Sequence, residues 1–139
     1  MNTIQFFSED TSYYLSEPDH TADWLRQSVF QEGFTISRIN IIFCSDHYLH
    51  NLNKMYLNHD TYTDIITFDQ SEENPALEGE IYVSIDRARS NSVKYKIELE
   101  NELCRLLIHG FLHLMGYSDK TEEEKMEMQK KEDAYLSLL

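Results

Sequence analysis

The sequence predicts an α+β fold, about four strands in a mixed sheet packed with four to five helices. Three observations carry this. Segments of strand character, TIQFF, FTISRINIIFCS, DIITFD and GEIYVSID, are separated by stretches whose apolar residues recur at helical spacing. Only four Gly and two Pro occur, so each carries information. The 139 residues contain no repeat, low-complexity run or linker, which predicts one domain over 1–139.

TIQFF reads as a short opening strand. Pro18 starts the first helix, with Trp24, Leu25, Val29 and Phe30 at helical spacing and Gly33 as its stop. FTISRINIIFCS alternates and then turns continuously apolar, as expected of a strand buried on at least one face. Ser45 or Asp46 caps the next helix, whose apolar positions are Leu49, Leu52 and Tyr56. His47 and His50 fall off that stripe and read as surface histidines. DIITFD is the third strand, QSEENPALE an acidic loop, and GEIYVSID the fourth strand, opened by Gly79. A helix is predicted over 96–115, with Leu99, Leu103, Leu106, Leu107 and Leu114 as its apolar face and Gly116 as its stop. Thr121 to Glu124 forms a capping box that opens a last helix, with Met128, Tyr135 and Leu138 expected to face the core. The sense of the strand pairing is not encoded in these periodicities.

Twelve Lys and Arg against 25 Asp and Glu leave a net charge of -13, which argues against a domain that simply coats nucleic acid. The charge is uneven, however. Arg87, Arg89, Lys94, Lys96 and Arg105 lie in a stretch whose acids are Glu98, Glu100 and Glu102, making it locally positive; it reads as a mixed-charge helix face or a binding patch. Cys44 and Cys104 lie in apolar surroundings without CxxC spacing and read as buried, reduced thiols. No long apolar run suggests a membrane span, and the first residues lack a signal-peptide pattern, so a soluble cytoplasmic protein is expected.

The segment HGFLHLMGYSD, residues 109–119, carries chemistry. His109 and His113 stand four apart on the predicted helix, so both imidazoles project from one face, the spacing by which a helix offers two nitrogens to one zinc ion. Gly116 ends the helix and reverses the chain, and Asp119 can return with a carboxylate. Three protein ligands leave a fourth tetrahedral position for water, the pattern of a catalytic rather than a structural site. Gly110 occupies the position where H-E-x-x-H metalloproteases carry their general base, which argues against peptide hydrolysis.

This segment resembles the signature H-G-x-L-H-L-x-G-Y-D-H of the YbeY-type endoribonucleases. LNKMYLNHDTYTDIITF, residues 52–68, is similar to that family's L-N-x-x-Y-R-x-x-D-x-P-T-D-V-L-S-F, and GEIYVSIDRA to its G-D-I-x-I-S segment; Met128 and Glu132 match a Met and a Glu four apart. The resemblance spans roughly 45–135. It implies a zincin-like domain and a bacterial cytoplasmic, zinc-dependent, single-strand-specific endoribonuclease. Such an enzyme acts in maturing the 3′ end of small-subunit ribosomal RNA and in ribosome quality control. Its partners would be ribosomal RNA and the small subunit or its proteins, without DNA or membrane. By position it assigns His109, His113 and Asp119 as catalytic metal ligands for one Zn2+ per chain.

Two departures from the pattern stand out. The family's third ligand is usually His, where this chain has Asp119, preceded by Ser118. The Arg after the Tyr in L-N-x-x-Y-R, a natural phosphate contact, is here Leu57. Arg87, Arg89 or Lys54 could substitute, and His59 could contribute. Thr63, Asp64, Thr67 and Glu80 are weaker candidates for the cleft wall. The competing readings are a ribosome-assembly factor whose zinc is mainly structural, which Leu57 favours, and a metalloprotease, which Gly110 disfavours.

Overall fold

The computed structural model describes residues 3–72 and 74–139. Its elements run β1 (Thr3–Ser8), α1 (Pro18–Gln31), β2 (Thr35–Cys44), α2 (Asp46–Tyr56), β3 (Ile65–Asp69), β4 (Ala76–Ser84), α3 (Ile85–Tyr95), α4 (Leu99–Leu114) and α5 (Glu122–Leu136). The fold is α+β, with five helices around a four-stranded mixed sheet of order β1-β2-β4-β3. β1, β2 and β4 are parallel; β3 runs antiparallel to β4 at the sheet edge.

The alternation of β2 and β4 sorts their side chains onto two faces. Ile39, Ile41, Phe43, Ile81 and Val83 enter the main core, which also takes Leu25 and Val29 of α1 and Leu103, Leu107, Ile108 and Phe111 of α4. Cys44, Ile66 and Tyr82 point to the opposite face, where α2 covers them with Leu49, Tyr48 and Leu52. Ile41 to Cys44 are therefore buried in succession because both faces are covered at that end of β2. Cys44 and Cys104 are free and buried, and burial pushes both thiols up to about 12, so neither is a nucleophile at neutral pH.

Local signals set the termini. Ser45 caps α2 by accepting from the Tyr48 N–H, and the Thr121–Glu124 capping box opens α5. Four details differ from the sequence expectations. β4 opens at Ala76 rather than Gly79, because Ala76–Glu78 of the expected loop pair with β2. The fourth strand ends at Ser84, whose side chain accepts from the Arg87 N–H and starts α3; the apolar run IYVSI hides that boundary. The helix expected over 96–115 begins at Leu99, because Lys96 takes a left-handed conformation, φ 57°, and ends α3. Leu138 lies beyond α5 and is 62% exposed, whereas Met128 and Tyr135 are buried as expected.

Gly79 and Gly110 are the glycines required by close approach. A Cβ at Gly79 would stand 2.2 Å from the Phe68 carbonyl oxygen across the β3–β4 ladder. Gly79→Ala is expected to cost about 3 kcal/mol, since backbone must move, lowering the melting midpoint by about 10 °C; thermal unfolding followed by circular dichroism checks this. A Cβ at Gly110 would meet Ile65 Cδ1 at 3.0 Å and Thr67 Cγ2 at 3.2 Å. The absence of a side chain there thus lets α4 lie directly on β3.

Candidate metal centre

α4 brings His109 and His113 to its open face beside β3. Gly116, at φ 101°, ends the helix, with the Tyr117 N–H donating to Leu112 O and the Gly116 N–H to His113 O. The reversed chain returns Asp119 to the histidines. The two Nε2 atoms stand 3.0 Å apart, and Asp119 Oδ2 lies 3.4 Å from each. Zinc bonds of about 2.0–2.1 Å at tetrahedral angles place ligand atoms about 3.3 Å apart, so the donor set fits one such ion. His109, His113 and Asp119 form the group able to hold a metal among the described residues.

What stands behind the imidazoles strengthens the fit. His109 Nδ1 lies 2.6 Å from Glu132 Oε2, and His113 Nδ1 lies 3.0 Å from the Tyr117 carbonyl oxygen. Acceptors at both Nδ1 atoms place the protons there and leave both Nε2 lone pairs facing Asp119. Arg105 in turn donates to Glu132 at 3.0 Å and to Asp133 at 3.0 Å, which fixes the carboxylate behind His109. Burial would lower the pKa of His109, but its hydrogen bond to Glu132 and the charges of Glu132, Asp119 and Asp64 outweigh this and raise it. Of the two neighbours Ser118 and Asp119, it is Asp119 that faces the histidines.

The cluster divides two clefts. One, of about 640 Å³, runs along α2 and β3 past Leu57, His59, Thr63, Asp64 and Thr67. The other, of about 620 Å³, lies among α3, α4 and α5. Asp64, His109 and Asp119 line both. His59 is thereby brought into the site. Arg87 and Arg89 line neither cleft: the Arg87 Nε donates to Asp46 at 2.9 Å and its guanidinium covers the Tyr62 ring, while Arg89 is exposed on α3. The basic stretch is divided between α3 and α4, and two of its cations, Arg87 and Arg105, serve as internal partners. Glu80 also lies off the clefts, with its carboxylate accepting from Tyr82 at 3.4 Å. Tyr117 and Glu102 were not legible as site residues. Glu132 was legible in part, as the Glu four residues after Met128 that the family resemblance picks out, and it lies buried on α5.

Fold and cluster together define the class, an α+β protein whose histidine helix, lying on an edge strand, can hold one metal ion in an open cleft. The profile of the family described as Endoribonuclease YbeY matches residues 9–139. A curated Endoribonuclease YbeY from Cytophaga hutchinsonii is 49% identical over 136 residues, covering 98% of this chain and 95% of the relative. One from Amoebophilus asiaticus is 45% identical, covering 96% and 90%. A protein from Thermotoga maritima solved in solution superimposes with a TM-score of 0.69 at 27% identity, covering 97% of this chain and 87% of that one. The chain belongs to the YbeY endoribonuclease family.

Proposed function

We propose that this protein is a zinc-dependent endoribonuclease that cuts single-stranded RNA in the bacterial cytoplasm, maturing the 3′ end of small-subunit ribosomal RNA and serving quality control of that subunit. One observation carries the reading: three ligand atoms converge at 3.0–3.4 Å while carboxylate and carbonyl acceptors hold both histidine tautomers. His109, His113 and Asp119 hold one zinc ion per chain. When bound, zinc supplies a Lewis acid and a water whose pKa can fall to about 7. Asp119, in place of a neutral imidazole, makes the filled site less positive by one charge.

The cleft along β3 sets how the chain meets RNA. Among the described residues no lysine or arginine lines it, and Leu57 occupies the place of the family's arginine. Phosphate therefore meets His59 and the Thr63 hydroxyl there, and the cation of the opposite cleft that has no buried carboxylate partner is Lys125. Leu57 also favours the second reading, an assembly factor that binds ribosomal RNA without cutting it.

Zinc-loaded protein incubated with single-stranded fragments of the 3′ region of small-subunit ribosomal RNA should produce discrete cuts that disappear with chelator and return with zinc. Elemental analysis should find about one zinc per chain. Intact RNA with a filled metal site would support the assembly-factor reading; an empty site in protein never exposed to chelator would overturn both.

A further inference from the structure

The cleft among α3, α4 and α5 contains a group that the metal site does not use. Glu102, on α4, is 3% exposed, and its Oε1 has no hydrogen-bond partner among the described residues. The other oxygen, Oε2, accepts from Asn91 Nδ2 at 3.1 Å; the same nitrogen lies 3.5 Å from Asp64 Oδ2. Both contacts use the amide nitrogen, so the Asn91 amide oxygen is turned away from the two carboxyls. Buried oxygens without partners are rare in folded proteins, and this one belongs to a side chain on the floor of an open cleft.

The walls around this pair have a definite chemistry. Leu106 and Met128 are buried at 6% and 2% and line the cleft, while Tyr95 and Ile97 stand exposed at its lip. Beside the charged groups that also line the cleft, these apolar contacts, the exposed aromatic ring and the Asn91–Glu102 pair offer what an unstacked base requires: a ring to cover its face and hydrogen bonds for its edge. Asp64 and Glu132 line the same cleft and repel phosphate more than an uncharged base, with Lys125 the cation left to meet phosphate. A nucleotide whose phosphate lies at the histidine cluster, shared by both clefts, would have this cleft beside its sugar.

We propose that this cleft is a nucleobase pocket, in which Glu102 and Asn91 read the edge of one base adjoining the scissile phosphate while Tyr95 covers its face. The pocket rests on the RNA-cleaving reading for its substrate, but its ligand can be measured without cleavage. Burial holds the Glu102 carboxyl above the ordinary carboxylate range, opposed by its hydrogen bond from Asn91 and the charge of Arg105.

Two measurements test the pocket. In the first, zinc-loaded protein is given oligoribonucleotides that differ at the single position next to the cut, and the ratio of best to worst base is read. Glu102→Leu, which fills the same space without hydrogen bonds, should reduce that ratio by about fivefold or more. Glu102→Gln, which keeps the shape, should change which base is preferred, and it is the variant to read if the leucine protein does not fold. In the second, nucleosides lacking phosphate are added to zinc-loaded protein. Saturation-transfer NMR should then show magnetisation passing from the protein to one base, and Glu102→Leu should abolish that transfer. Cleavage with unchanged base ratios in both variants and no transfer to any nucleoside overturns the pocket. Nucleoside binding that depends on Glu102, with no RNA cut by the wild type, upholds the pocket and overturns the cleavage reading instead.

Discussion

Asp119→Ala should weaken zinc binding by more than about 100-fold and, with it, metal-dependent cleavage of single-stranded RNA. Asp119 contributes one of three converging ligand atoms, and its Oδ2 is the atom facing both Nε2 positions. Altering a residue that merely orients a ligand weakens metal binding by about 10–100-fold, so deleting a ligand should exceed about 100-fold. Without the carboxylate, two imidazoles remain, and the balancing negative charge is gone. The cleavage rate at fixed zinc should fall by a factor on the order of 10³, comparable to removing a main electrostatic contact at a reacting phosphate. Zinc affinity by competition with a chromophoric chelator and cleavage by gel electrophoresis check both parts. Because Asp119 is 38% exposed and lies in a loop, the fold should survive; a variant that keeps full zinc affinity would remove Asp119 from the ligand set.

Glu32→Ala should be the most destabilising change to a single charged group. Glu32 ends α1, and its side chain, 9% exposed, meets Tyr117 Oη at 2.6 Å, Lys131 Nζ at 3.1 Å and the Tyr135 hydroxyl. One carboxylate thus joins α1 to the metal-site loop and to α5. Burial would raise its pKa, but the hydrogen bonds from Tyr117, Tyr135 and Lys131 outweigh that and hold it below the ordinary carboxylate range. The substitution strands three donors around a vacated site and should cost about 2 kcal/mol, or about 7 °C in melting midpoint. The pH dependence has a definite sign. A depressed carboxylate contributes its full stability above its unfolded value of about 4.3 and loses it as pH falls through the folded value. The gap between wild type and Glu32→Ala, measured by urea unfolding, should therefore be full at neutral pH and narrow below about pH 4. A gap that widened with acid would contradict this assignment.

The fold was legible wherever burial imposes a period. β2, α1 and the stripe of α4 each bury one continuous face, and Pro18 and Gly116 mark their ends as expected. α3 was not legible, because it buries little beyond Ile85, Ala88 and Ser92 and follows a run of strand-like residues without a break. Lys96 ended it in a conformation that glycine usually supplies, so no sequence signal marked the stop. The direction of the strands could not be read, since parallel and antiparallel partners show the same alternation. At the site, the i, i+4 histidines and the returning aspartate were legible because all three lie within eleven residues. Glu132 was legible only as one of the Met and Glu four apart, and the roles of Tyr117 and Glu102 were not, because all three arise from contacts of α4 with α3, α5 and the loop that no local spacing encodes.

The close approach at Gly110 bears on portability. The helix lies so close to β3 that a methyl group at Gly110 would press on Ile65 and Thr67, and it draws the acceptors that fix its two imidazoles from α5 and from the chain beyond Gly116. A peptide of residues 99–119 would carry all three ligands but neither the strand nor Glu132. It would have to order its own backbone on binding and would hold zinc as a flexible chelator. The metal centre is thus a property of the whole architecture, and transplanting it to another scaffold would mean carrying over a sheet edge and a second helix, not a motif.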